Sequence, residues 1–221
     1  MGGARLGVVG STPARRRDGA LVEVALRGIA LLTYGVLVWN VARHWWMDTS
    51  RVTLLLLLVT ETFTLGLVLF ARRASLRDAS PMAVAATVYA AFFFVLFRYD
   101  TQRLAPEWVG ATLQFAGLAW QVSAKAVLGR AFGLLPAARG LVTAGPYRVV
   151  RHPIYLGYLL SHIGFLVGNF APQNLAVLAA LYLAQIVRMA REESTLAADD
   201  PQGRYADYRA RVRYRLIPFV Y

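Results

Sequence analysis

Six predominantly apolar stretches separated by polar connections dominate the chain. They run from Leu21 to Ala42, Val52 to Ala71, Pro81 to Phe97, Trp108 to Leu128, Ile154 to Phe170 and Leu175 to Val187. A helix needs about 20 mainly apolar residues to cross the hydrocarbon core of a bilayer. In lipid every backbone N–H and C=O must also be paired internally, which helices achieve within one segment. The last two stretches are shorter and are joined by Asn169-Phe170-Ala171-Pro172-Gln173-Asn174, which reads as a tight turn. They are expected to form a helical hairpin. Its second arm should continue as a more polar helix from Arg188 to Ala198, since no breaker occurs before Pro201. The expected fold class is all-α: a polytopic transmembrane helical bundle of about six spans. Composition agrees, because 16% of the 221 residues are charged, against about a quarter in ordinary soluble domains. The pattern divides the chain into a basic N-terminal tail (1–20), N-terminal transmembrane helices (21–105) and a C-terminal core (106–221).

The distribution of basic residues orients this bundle. The formal charge is +12, but the arginines flank apolar segments rather than forming one basic face, so the pattern speaks for membrane topology and against nucleic acid. Arg5, Arg15, Arg16 and Arg17 precede the first stretch, and Arg72, Arg73 and Arg77 follow the second. Arg130, Arg139, Arg148 and Arg151 lie between the fourth and fifth. Arg188, Arg191, Arg204, Arg209, Arg211, Arg213 and Arg215 follow the sixth. The opposite side carries Arg43, Arg51, Arg98 and Arg103. The expected location is the plasma (cell inner) membrane with both termini cytoplasmic. Trp45, Trp46 and Trp108 fall at outer boundaries, where amphipathic rings prefer to lie. Met1 to Ala20 starts like a signal peptide, but the apolar run after it is too long and lacks a small-residue cleavage site. It is therefore read as a basic anchor.

With no cysteines, disulfides, thiol catalysis and Cys-ligated zinc are excluded. His44, His152 and His162 lack ligand-pair spacing, so no metal site is expected. The long fourth connection and the C-terminal tail are the substantial polar segments. They share the cytoplasmic side, so a water-soluble ligand is expected there.

The densest group of chemically capable residues is Gly145-Pro146-Tyr147-Arg148-Val149-Val150-Arg151-His152-Pro153-Ile154-Tyr155-Leu156-Gly157. Pro153 suits the first turn of a helix, where its missing N–H costs nothing. The free N–H groups of that turn, with Arg151 and His152, would make an anion-attracting corner. A second group follows the sixth stretch: Arg188-Met189-Ala190-Arg191-Glu192-Glu193, then Tyr205-Ala206-Asp207-Tyr208 and Leu216-Ile217-Pro218. Arg188 and Glu192 are four apart and share a helix face, whereas Glu193 points elsewhere, so the two glutamates should have different tasks.

Together these strings, with a leading Leu128-Gly129-x-x-Phe132, resemble the isoprenylcysteine carboxyl methyltransferase family and the related phospholipid methyltransferases. The resemblance covers about residues 110 to 221. It implies S-adenosyl-L-methionine as cofactor, held between the helical hairpin and the tail. Carried over, the cofactor-binding residues are Arg151, His152, Pro153, Tyr155, Glu192 and Glu193, with Tyr147, Arg188, Tyr205 and Tyr208 as further candidates. The chemistry is compatible: a glutamate can accept from the cofactor's ammonium or ribose, and an arginine or helix N-terminus can hold its carboxylate. Tyrosine rings can cover the adenine and face the sulfonium.

On the acceptor side, Gln114, Gln121 and Lys125 form a polar stripe on the fourth stretch, and Lys125 is also placed to snorkel to the interface. Glu61 lies in the middle of the second stretch, where a carboxylate is costly and should face the bundle, protonated or paired. His162 is seven residues after Tyr155, on the same helix face. The expected function is methyl transfer from S-adenosylmethionine to a lipophilic acceptor entering from the bilayer, with no general base needed for a carboxylate or thiolate. For an amine acceptor, His152 or Glu61 would serve as catalytic groups. Two alternatives stand beside it: a membrane reductase of the steroid-reductase type with a nicotinamide cofactor, and a small transporter. No repeat of spans or paired broken helices supports the latter.

Overall fold

The computed structural model describes residues 13–70, 81–128, 141–198, 200 and 202–221. Among them the chain is all-helical, with one isolated antiparallel bridge between Gln102 and Phe170. The helices are α1 (Pro13–Met47), α2 (Val52–Phe70), α3 (Pro81–Phe92), α4 (Glu107–Leu128), α5 (Pro153–Gly168), α6 (Pro172–Ala198) and α7 (Arg204–Arg211). Short 3-10 turns occupy Phe93–Leu96 and Gly145–Arg148.

A helix stands at each of the six expected places, with two differences. α1 begins at Pro13, inside the segment read as a tail. α3 gives way after Phe92 to a 3-10 turn instead of continuing to Phe97. That turn tightens the backbone so that the aromatic residues after it reach the core: Phe97 stacks on Phe165 with ring centroids 4.6 Å apart. The α5–α6 hairpin and the continuation of α6 to Ala198 follow the sequence expectation. Arg5, Arg72, Arg73, Arg77, Arg130, Arg139, the Gly129 and Phe132 of the leading motif, and the side chains of Arg15, Arg16 and Arg17 lie outside the described residues.

Among the described residues, α6 is the one helix both long and apolar enough to cross a membrane by length and composition. Val52–Gly66, Ala85–Leu96 and Pro153–Gly168 are shorter apolar stretches. The outer surface carries large apolar side chains, including Leu32, Trp39, Trp46, Trp108, Phe115 and Leu183. A soluble monomer rarely exposes so much apolar surface.

α4 and α5 make the most extensive helix pair, and glycines explain how. A Cβ placed on Gly117 would sit 2.5 Å from both the Gly157 carbonyl oxygen and Ser161 Oγ. One on Gly164 would sit 2.5 Å from the Gly110 carbonyl oxygen. Two glycines on each helix, seven residues apart, let the backbones touch, the small-residue packing found between membrane helices.

The connections gather at two ends. At one end Arg103 Nη2 donates to Asp48 Oδ2 at 2.7 Å, and Arg51 Nη2 donates to the Thr101 carbonyl at 2.8 Å. The Thr53 hydroxyl donates to Glu107 Oε1 at 2.6 Å, and Asn169 Nδ2 donates to the Thr53 hydroxyl at 2.8 Å. The turns α1–α2, α3–α4 and α5–α6 are thereby tied together. The segment 141–152, the end of α6, α7 and the C-terminal tail meet at the opposite end.

Candidate active site

The last turn before α5 builds the site. Pro153 occupies the first helical position as expected, and the preceding His152 does not use its side chain as a cap. Its ring is left to bridge the two adjacent glutamates of α6. Nε2 lies 3.1 Å from Glu193 Oε1 and Nδ1 lies 3.6 Å from Glu192 Oε2. Residues 192 and 193 are about 100° apart around a helix, so one ring between them fits the geometry.

Glu193 is the hub. Its Oε1 accepts from Arg151 Nε at 2.9 Å and from Arg215 Nε at 3.1 Å, and its Oε2 accepts from Arg215 Nη2 at 2.8 Å. Burial opposes charge on this carboxyl, but the hydrogen bonds from His152, Arg215 and Arg151 outweigh it. They hold the group well below the usual carboxylate range.

Arg151 clamps the tail. Its Nη1 donates to the carbonyls of Val212 at 3.0 Å and Arg213 at 2.7 Å. The backbone N–H groups of Arg151 and His152 donate to the carbonyls of Tyr214 and Arg215, both at 2.9 Å. Four consecutive tail carbonyls are thus satisfied by two residues. On its outer side Arg151 lines an open cavity of about 470 Å³ together with Ala206, Arg209, Ala210 and Arg213.

Glu192 is placed differently. It is part-exposed and accepts from the Tyr155 hydroxyl at 3.2 Å. The Arg188 guanidinium stands over the Tyr155 ring, 5.7 Å from its centroid. The two glutamates differ in surroundings: Glu193 is enclosed by Arg151, Arg215 and His152, whereas Glu192 keeps a face open. Around them, burial pushes the Tyr208 phenol up to about 12, so it stays neutral and donates to the Tyr147 carbonyl at 2.8 Å. Tyr205 is buried beside it with a hydroxyl that has no partner among the described residues.

The residues expected from sequence to bind a cofactor therefore gather at one end of the bundle, whereas Glu61, expected as a catalytic group for an amine acceptor, stands apart. It lies on α2 within electrostatic reach of Lys125, Tyr99 and Tyr182. One participant was not anticipated: Arg215, which donates to both oxygens of Glu193. Arg215, two residues before Ile217, carried no signal beyond charge.

The comparison with known families falls on this part of the chain. Residues 106–199 match the phospholipid methyltransferase family. The matched segment begins just before α4 and ends just after α6, so it includes Arg151, His152, Glu192 and Glu193 and stops short of the tail that Arg151 clamps. No curated protein matches the chain. The match is to a family of methyl-transferring enzymes and covers less than half of the chain; it agrees with the resemblance drawn from the Arg-His-Pro-x-Tyr and Glu-Glu strings.

Proposed function

We propose that the chain is an integral membrane methyltransferase that moves a methyl group from S-adenosylmethionine to a lipophilic acceptor. The observation that carries this is the coincidence of the family match with one structural cluster. The matched segment delivers His152, Tyr155, Glu192 and Glu193 to a single end of the bundle. The donor set suits the cofactor: Glu192 retains accepting capacity for an ammonium or ribose, and Tyr155 offers a ring beside it. The enclosed Glu193 holds α5, α6 and the tail in register around that place rather than receiving a ligand. Arg151, with its donors on Glu193 and the tail, acts the same way.

When bound, S-adenosylmethionine supplies a methyl activated by the sulfonium, which leaves as a neutral thioether. The protein's task is then alignment and exclusion of water. The tail segment 212–217 covers the cluster from the aqueous side. The acceptor enters laterally between helices, the exposed apolar faces lie in lipid, and both termini stand on the cytoplasmic side with the cluster. Reporter fusions at either terminus would read as external if that orientation is wrong.

Calorimetry on detergent-purified protein tests the cofactor. S-adenosylmethionine should bind the wild type, and Glu192→Ala and His152→Ala should each weaken it by about tenfold or more with unchanged elution profiles. Wild-type affinity in both variants would overturn the site. Heat from NADPH and none from S-adenosylmethionine would give the reductase instead.

A further inference from the structure

α7 is two-sided. Tyr205 and Tyr208, with Val212 just past the helix end, are buried and pack together with Leu141 and Leu196. Their spacing of three and four residues puts them on one face. Ala206, Arg209, Ala210 and Arg213 repeat that spacing one residue further on and face outward, where they line the cavity of about 470 Å³ that they share with Arg151. The size falls within the range of about 300–1,000 Å³ usual for small-molecule sites.

Among the described residues the charged lining of this cavity is cationic throughout: three arginines, two alanines and no carboxylate. The acidic groups of the adjoining segments are engaged elsewhere. Glu193 is taken up by Arg151, Arg215 and His152, and Asp200 lies 3.6 Å from Arg204 Nε. Asp207, about 200° around the helix from Arg209, does not line the cavity. Three cations around one opening repel one another, and an anion among them removes that repulsion.

The donors for such an anion are in place. The Arg151 side chain is 10% exposed. Its Nε and Nη1 are committed to Glu193 and to the tail carbonyls, which leaves Nη2 for the cavity. Arg209 and Arg213 are exposed and make no ion pair or side-chain hydrogen bond among the described residues. Their planar forks match the oxygens of a phosphate in pairs. Ala206 and Ala210 keep the floor between them low. On the buried face of the same helix the Tyr205 hydroxyl has no partner and lies within electrostatic reach of Arg151 and Arg209.

We propose that Arg151, Arg209 and Arg213 form a phosphate site on the outer side of the tail, separate from the place of the methyl donor and of its acceptor. The group it takes is a phosphate, free in solution or on the head of an anionic lipid. By joining the start of α5 to α7, a bound phosphate holds the tail segment 212–217 in place. The site stands whether or not the chain transfers methyl groups.

The test uses full-length protein, delipidated in neutral detergent without S-adenosylmethionine. Native mass spectrometry and thermal unfolding would follow inorganic phosphate and dioleoyl phosphatidylglycerol, with sodium chloride at matched ionic strength as the reference, since screening alone acts on any basic surface. The wild type should retain phosphate and melt higher in it than in chloride. Arg209→Gln and Arg213→Gln should each weaken binding by about tenfold. Arg98→Gln, which removes an exposed arginine at the opposite end of the bundle, should not. Ala210→Leu should weaken binding by filling the floor with the charge intact, and it carries the test if an arginine variant fails to fold. Phosphatidylglycerol bound about tenfold or more tighter than inorganic phosphate, with the same dependence on Arg209 and Arg213, makes the lipid head the source; comparable binding makes it free phosphate. No gain over chloride with either probe, undiminished binding in the folded variants, or an equal loss in Arg98→Gln overturns the site. Displacement of phosphate by S-adenosylmethionine, one for one, would also overturn it, because the cavity would then belong to the cofactor's place.

Discussion

Arg215 meets Glu193 as a two-pronged fork, Nε on one carboxylate oxygen at 3.1 Å and Nη2 on the other at 2.8 Å. The pair joins the C-terminal tail to α6, at a carboxylate already held by Arg151 and His152 from the start of α5. Three parts of the chain far apart in sequence are thus fixed to one side chain.

Arg215→Ala removes both prongs and leaves Glu193 with two donors. Hydrogen bonds to a charged group contribute about 1.5–3 kcal/mol, so a loss of about 2 kcal/mol is expected in thermal or chemical unfolding of the detergent-solubilised protein. Arg215→Lys should recover only part of this, because an ammonium keeps the charge but not the planar fork. Equal stability of Arg215→Ala and wild type would show that the tail is held elsewhere.

The same hub sets an acid limit. The carboxyl of Glu193 is held below its ordinary value of 4.5, so folding favours its ionised form. That contribution is fully present above the unfolded value and is lost as pH falls toward the folded one. The stability difference between wild type and Glu193→Gln should therefore be constant from about pH 6 to 8 and shrink below about pH 4.5. Melting curves of the two proteins across this range check it. A difference that widens on acidification would contradict the assignment.

The helix positions were readable in the sequence because apolar stretches and breakers such as Pro172 and Pro201 act locally. The grouping of Arg151, His152, Glu192 and Glu193 was readable through resemblance to a family, since no periodicity joins α5 to α6. What stayed hidden was long-range. Arg215 looks like any other basic tail residue until its partner is seen, and Lys125 looks like an interfacial anchor until α2 and α5 enclose it. The glycine repeat at Gly110, Gly117, Gly157 and Gly164 was visible as spacing, but its meaning depends on α4 and α5 being neighbours.

That repeat is itself testable. A methyl added at Gly117 would meet backbone atoms of Gly157 and Ser161 at 2.5 and 2.6 Å, where neither side can yield by rotating a side chain. Gly117→Ala should destabilise by about 1–3 kcal/mol, the range for overpacking. Gly35→Ala is the control, since nothing lies within 4 Å of its Cβ. Unfolding midpoints of the two variants should separate clearly; matching midpoints would mean that α4 and α5 are not in this close contact.

Glu61 gives the sharpest test of what the interior does. A charged side chain at the middle of a bilayer costs about 3 kcal/mol on insertion scales. Lys125, a cation within electrostatic reach of Glu61, also contacts Gln121, Thr64 and two aromatic rings. A purely structural carboxyl would be expected to bond a neighbouring helix, for about 1 kcal/mol or less. Its exchange for glutamine, which keeps size and hydrogen-bonding ability, would then change little. If Glu61 instead holds the acceptor's polar head, Glu61→Gln should leave S-adenosylmethionine affinity unchanged and lower kcat/KM by about tenfold or more. The acceptor for that assay comes from membrane lipids compared with and without the gene, as the species that gains the mass of one methyl. Unaltered kinetics in Glu61→Gln would return Glu61 to a packing role.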